Sequence, residues 1–240
     1  MDKKNQSTEG VIWKQLLIFF FPIMVGTLFQ QLYNTVDAII VGRFVGKQAL
    51  ASVGGSAAVL TNFVIGFFTG LSAGATVIIS QFYGAKNLKQ LSKGLHTAYA
   101  FSITVSILIS VIGWFSTPAL LHLLKTPADV IPDSILYLRI YFLGMIFTLT
   151  YNMGSSIMRA IGDSRRPLIY LVICCVINII LDILFVIVFH MGIAGAAIAT
   201  VISQGVSAIL VTRSLMKSYG ILKLELRAIR FHGALLKSEL

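Results

Sequence analysis

The sequence predicts an all-α integral membrane protein, a bundle of six transmembrane helices, and three observations predict it. Only 12% of the 240 residues are charged while 57% are hydrophobic, against about 25% charged in a soluble domain; the mean hydropathy is +0.88. Charge-free runs recur, from Gln15 to Val36 and from Gln48 to Ala85, each long enough to cross a hydrocarbon core of about 30 Å at about 1.5 Å per residue. The basic residues fall between apolar runs, so the net charge of +10 reads as a topology signal and not as a nucleic-acid surface.

The elements follow in order. Residues 1–15 form a polar, partly basic tail. Helix 1 is expected over 16–41, with Pro22 interrupting its hydrogen-bond ladder and bending it. A Gly-Arg-Phe-Val-Gly-Lys turn follows at 42–47. Helix 2 is expected over 52–83 after a short lead-in; Gly66, Gly70 and Gly74 share one of its faces and suggest close helix packing, with a hinge as the functional alternative. A basic loop precedes helix 3 at 95–115. Pro118, Pro127 and Pro132 place a loop over 117–132. Helix 4 is expected over 134–158, then a second basic loop, then helices 5 and 6 over 168–189 and 193–215. Residues 216–240 form a basic, mildly amphipathic tail suited to a membrane surface or to an inter-lobe linker.

Six spans put both termini on one side. Of nineteen Lys and Arg residues, only Arg43, Lys47, Lys125 and Arg139 fall on the other side. Positive charge is retained in the cytoplasm, so both termini are expected to be cytoplasmic, in a multi-pass protein of the cell (plasma) membrane. The apolar run of helix 1 is longer than the core of a secretory signal, about 7–15 residues, and is expected to stay as the first span.

Only two acids lie inside spans, Asp37 in helix 1 and Asp182 in helix 5. An ionisable residue in the membrane is a candidate functional site. Asn178 lies one turn from Asp182 on the same face, and Thr200 of helix 6 falls at a similar depth. Carboxylates, an amide and a hydroxyl are hard oxygen ligands, suited to a proton or Na⁺. Two carboxylates close together in a low dielectric do not both ionise cheaply, so one can hold a proton. Gln30, Tyr33, Asn34, Tyr137, Tyr141, Asn152 and Gln204 add polar and aromatic groups on the same helices and are candidates for a substrate path. Cys174 and Cys175 are neighbours in an apolar run and read as small core residues. The four histidines lack metal-ligand spacing, so no metal beyond Na⁺ and no cofactor is expected.

Several of these stretches resemble the multidrug and toxic compound extrusion (MATE) transporters. Asp37 with Val41-Gly42-Arg43, Gly46 and Leu50-Ala51 is similar to that family's helix 1–2 junction, and Gln81-Phe-Tyr-Gly-Ala85 with Asn87 to the end of its second helix. Arg159-Ala-Ile-Gly-Asp163 with Pro167 resembles the helix 4–5 loop, and Asn178-x-x-x-Asp182 the fifth-helix acid motif. Thr200 sits where the family has a helix 6 hydroxyl, and Pro22 matches its kinked first helix. The resemblance implies one lobe of a two-lobe secondary transporter that exports organic cations or other amphipathic compounds against H⁺ or Na⁺. Asp37, Asn178, Asp182 and Thr200 would form the ion-coupling site, and ion binding would change the bend at Pro22. It also implies a partner, either a missing C-terminal lobe or a second copy; the chain is expected to be a fragment. Membrane lipid and a small amphipathic substrate complete the expected partners. Three alternatives differ in class: a lipid-linked-precursor flippase of the same superfamily, a non-transporting membrane subunit, and an intramembrane aspartyl protease. The protease reading lacks its G-x-G-D motif in these spans, and no enzymatic activity is expected.

Overall fold

A computed structural model describes residues 12–217 and Leu224. It contains eight α-helices: α1 (Ile12–Ile40), α2 (Lys47–Gly54), α3 (Ser56–Gly84), α4 (Leu88–Leu123), α5 (Ile131–Leu143), α6 (Met145–Ala160), α7 (Arg165–Asp182) and α8 (Gly192–Lys217). Two π-helical segments, Val41–Val45 and Ile183–Val188, continue α1 and α7. In hydrocarbon every backbone polar group must be paired within the chain, and helices do this segment by segment.

Four helical stretches are long and apolar enough to cross a membrane: 47–84, 88–123, 165–188 and 192–217. The α5–α6 pair, bent by 50° at Gly144, makes a fifth. With 29 residues and no charge between Lys14 and Asp37, α1 supplies the sixth. The expected six-helix bundle is therefore present, with differences of detail. Helix 3 reaches well beyond 95–115 at both ends. Asn87 caps its start, its side-chain oxygen accepting from the Gln90 amide at 3.2 Å, as an N-cap residue does. Its far end runs through Pro118, which the sequence places in a loop. The Ser116 and Thr117 hydroxyls donate to the carbonyls of Ile112 and Gly113, beside the carbonyl that proline leaves without a donor; hydroxyls commonly relieve a membrane proline in this way. Helix 1 continues through Pro22 as a single helix. Expected helix 4 is two helices, with Pro132 in the first turn of α5, where a missing N–H costs nothing. The expected tails at 1–15 and 216–240 lie outside the described residues, apart from the helical positions at their inner ends and Leu224.

The central strut is α8, packed against α5, α6 and α7. Small residues make this possible: Gly195, Ala196, Ala197, Ala199, Ser203 and Ser207 are buried on it. Close approach is also set by glycines on its neighbours. A methyl group at Gly144 would collide with Val201 of α8, and one at Gly154 with Val211 of α8 and the Tyr99 hydroxyl of α4. The glycine face of α3 behaves otherwise than expected. Gly66, Gly70 and Gly74 are exposed, and a side chain at Gly66 or Gly70 would meet nothing within 4 Å. Periodicity identifies a shared face but not which way it points.

The ends of the bundle are tied by polar contacts. At one end Arg166 reaches Ser214 at 3.4 Å and pairs with Asp163 at 3.4 Å, so the α6–α7 loop lies beside the C-terminal end of α8. At the other, Gln48 donates to Asp129 at 3.2 Å, Thr126 to Ser56 at 2.8 Å and Ser134 to the Ser52 carbonyl at 3.2 Å. The α1–α2 and α4–α5 connections therefore share one end, as the alternation of spans requires.

These contacts predict that Gly154→Ala overpacks the α4–α6–α8 junction and destabilises the bundle by about 1–3 kcal/mol. Gly66→Ala should be neutral or mildly stabilising, because Ala is the better helix former. Thermal unfolding of the two variants in one detergent checks the contrast.

Candidate functional site

Near the end of α1 lies Asp37; Asn178 and Asp182 end α7, and Thr200 occupies the middle of α8. Since α1 packs on α7 and α7 on α8, all four side chains converge. Asn178 and Asp182 are fully buried, Thr200 is 4% exposed and Asp37 8%. The Asn178 side-chain amide donates to the Thr200 hydroxyl at 3.5 Å, which itself donates to the Ala196 carbonyl at 3.1 Å. The Asp37 and Asp182 side chains adjoin each other.

Hydrogen bonding within this group is incomplete in one direction only. Both Asp182 oxygens, one Asp37 oxygen and the Asn178 oxygen are buried and meet no donor. Native interiors leave few polar atoms in this condition. Here all the unmet atoms are acceptors, they belong to three adjacent side chains, and two of those side chains are acids. A set of convergent oxygens lacking a donor is chemically complete when it gains a proton or a hard cation. Among the described residues no group of three His, Cys, Asp or Glu could hold a metal ion; the donor set is instead the mixed carboxylate, amide and hydroxyl oxygens.

Two tyrosines adjoin the acids, and a third, Tyr141, adjoins those two. Tyr137 is an electrostatic neighbour of both Asp37 and Asp182, and Tyr33 of Asp37, Tyr137 and Tyr141. The Tyr137 and Tyr141 rings stack with centroids 6.0 Å apart. One turn along α8 from Thr200, Gln204 is buried with its side-chain oxygen unpartnered. The other substrate-path candidates stand apart: Gln30 and Asn34 are exposed on α1, and Asn152 is half-buried on α6. Thus Tyr33 and Tyr137 join the acids, Tyr141 joins them through those two rings, Gln204 lies one turn from Thr200, and Gln30, Asn34 and Asn152 are not brought to the acids.

Sequence reasoning missed the backbone beyond each acid. Four residues after Asp37 and directly after Asp182 the helix changes to π geometry, and the two π segments touch each other and α8. Their wide turns are closed by five-residue bonds, Gly46 N–H to Val41 O at 3.1 Å and Phe189 N–H to Leu184 O at 2.9 Å. π-Helical turns are uncommon and cluster at functional sites. Gly42 and Gly46 hint at the first; nothing in the run Ile183–Val188 announces the second.

Comparison with known proteins gives consistent results. The profile of the MatE family matches residues 22–184. The probable multidrug resistance protein YpnP of Bacillus subtilis is 36% identical over 205 residues, 85% of this chain and 46% of that protein. The multidrug export protein MepA of Staphylococcus saprophyticus is 22% identical over 222 residues, 92% of this chain and 49% of that protein. The chain spans about half the length of the curated relatives it matches. A crystal structure of a MATE transporter in its bent conformation superposes with a TM-score of 0.89 at 25% identity, covering all of this chain and 53% of that one. An inward-facing structure of a multidrug resistance MATE family transporter gives 0.80 over 88% of this chain and 48% of that one. With the family profile matched over residues 22–184 and apolar helices long enough to cross a membrane, the chain is a multi-pass membrane protein that belongs to the MatE family.

Proposed function

We propose that this chain forms the first lobe of a cation-coupled exporter, in which H⁺ or Na⁺ moving inward drives organic cations or other amphipathic compounds out. The observation that carries this reading is the convergence of Asp37, Asn178, Asp182 and Thr200 with acceptor oxygens that meet no donor. A buried acid without a partner destabilises a fold, and an ion that binds there offsets that cost only in the conformation that forms the site. Binding therefore biases one conformation over another.

Each residue has a role in this reading. Asp182, fully buried, holds the proton or cation. Asp37 shares it and carries its presence to α1, where Pro22 lets the helix bend. Asn178 and Thr200 complete the oxygen set and fix its geometry. Tyr33, Tyr137 and Tyr141 place aromatic faces beside the acids, where an organic cation gains cation–π attraction. The names of YpnP and MepA, a probable multidrug resistance protein and a multidrug export protein, support the substrate class. A second lobe of similar size is the partner, because alternating access requires two units to rock about the site. No catalytic reaction is involved. The end of the bundle bearing Lys86, Lys89, Arg159, Arg165 and Arg166 faces the cytoplasm of the cell membrane, following the positive-inside rule.

Binding is tested on the 240-residue chain itself. In detergent it should take up H⁺ or Na⁺ saturably, read by titration calorimetry, and Asp182→Asn should abolish the uptake. A chain that binds neither ion would remove the coupling site. In liposomes this chain alone should show no gradient-driven efflux of a fluorescent cation. In a two-lobe transporter containing this lobe, Asp37→Asn and Asp182→Asn should each stop efflux, and the double variant should be little worse than either, since groups acting as a unit are non-additive.

Stability should move the other way. Asp182→Asn removes one of two adjacent buried acids that do not both ionise cheaply, so the variant should melt at or above the temperature of the unaltered chain at neutral pH without Na⁺. Scanning calorimetry or intrinsic-fluorescence melting checks this.

Sidedness is tested by labelling, after Cys174 and Cys175 are replaced by alanine. Cysteines at Lys89 and Arg165 should react only with reagent on the cytoplasmic side, and those at Lys47 and Lys125 only with reagent outside.

A further inference from the structure

We propose that Arg139 and Trp114 form a binding site for the phosphate group of a membrane phospholipid, on the outward apolar face of the α4–α5 hairpin. Arg139 lies three residues after Leu136 and four before Leu143, so all three share one face of α5. That face is exposed: Leu136 by 45% and Leu143 by 58%. Across from it, α4 presents Val111, Ile112 and Phe115, also exposed. A permanent cation thus stands in the middle of an apolar surface within a membrane span.

Nothing described in the protein neutralises it. The guanidinium makes no ion pair among the described residues, and its Nε is buried with no hydrogen-bond partner. Its single specific contact is with the Trp114 ring, whose centroid lies 5.3 Å from Cζ. A cation–π contact orients the guanidinium plane but supplies no acceptor for its N–H groups. The terminal N–H groups of this half-buried side chain are left for an anion that approaches from the lipid side, and phosphate oxygens match that pair in two-point geometry.

Depth selects phospholipid as the source of the anion. Arg139 is eight residues past Ile131, or about 12 Å along α5. Side chains on a helix lean toward its N-terminus, which for α5 is the membrane-surface end. A long, snorkelling arginine therefore carries its head toward the phosphate layer while its stem stays in hydrocarbon. Trp114 lies nine residues before the end of α4 at Leu123, at a matching level, and tryptophan collects at the membrane–water boundary. The site lies in the leaflet next to the α4–α5 connection, apart from the acids between α1, α7 and α8, and it does not rest on the transport reading.

Tryptophan fluorescence gives a direct test, because Trp13 is the only other tryptophan. In a Trp13→Phe chain, Trp114 is the sole reporter. The chain is reconstituted in bilayers containing phosphatidylglycerol, phosphatidylcholine or diacylglycerol, each brominated at the same acyl positions. Both phospholipids should quench Trp114 more than the phosphate-free diacylglycerol at equal mole fraction, by roughly two- to fivefold in apparent association, the range of a partly exposed ion pair. Arg139→Gln should remove the preference, and Arg139→Lys should keep part of it, with far-ultraviolet circular dichroism confirming helicity in both. Equal quenching by diacylglycerol in the Arg139 chain would overturn the proposal without reference to any variant. A preference that survives Arg139→Gln, or an equal fluorescence response to inorganic phosphate in lipid-free micelles, would also overturn it.

Discussion

Inside a hydrocarbon slab a carboxylate with no donor is among the least favourable groups a chain can carry, and the arrangement of this bundle follows from placing two acids side by side, where they do not both ionise cheaply. Asp182 is fully buried and Asp37 nearly so. They meet because α1 packs directly on α7, and the meeting is kept dry and close by α8, whose alanines, serines and glycines let α5, α6 and α7 approach at once. The glycines at 144 and 154 serve the same end from the other side of the contact. Core packing and the acid pair are thus not separate features, since loosening α8 would open the oxygen cluster that its Thr200 completes.

Much of this is legible in the residues. Runs without charge mark the spans, and the two acids within them mark the site. The i, i+4 relation of Asn178 to Asp182 and the depth of Thr200 are enough to bring those groups together. Tyr33, Tyr137 and Tyr141 are legible as polar aromatics on the right helices. Orientation is not legible. Gln30, Asn34 and Asn152 share those helices but face elsewhere, and the glycines of α3 form a row whose direction no single-helix pattern specifies. Helix ends are also hard to place where a proline or a polar residue reads as a stop. Pro118 looks like a loop residue, yet two neighbouring hydroxyls take over the carbonyls beside the one it disturbs.

The same division appears at the hairpin of α4 and α5. Position along the chain puts Arg139 near an outer end and makes it a topology signal, which is the reading that charge alone allows. Only the folded chain sets it over Trp114 and on the apolar face shared with Leu136 and Leu143. A charge counted by its position along the chain and a charge located on a surface carry different information, and the second concerns recognition.

The π-helical segments have a consequence for how this chain tolerates change in length. A π turn accommodates a residue beyond the α repeat without breaking the helix. Val41–Val45 and Ile183–Val188 are therefore reservoirs of length, each downstream of an acid. Loss of one residue from the first could be absorbed by reverting to α geometry, leaving Asp37 and everything before it in place. The downstream chain would be spared as well, because the wide turn carries the extra residue and its loss leaves the entry to α2 close to its original direction. Asp37 upstream and the polar tie from Gln48 to Asp129 downstream are thereby both insulated from the loss of one residue between them.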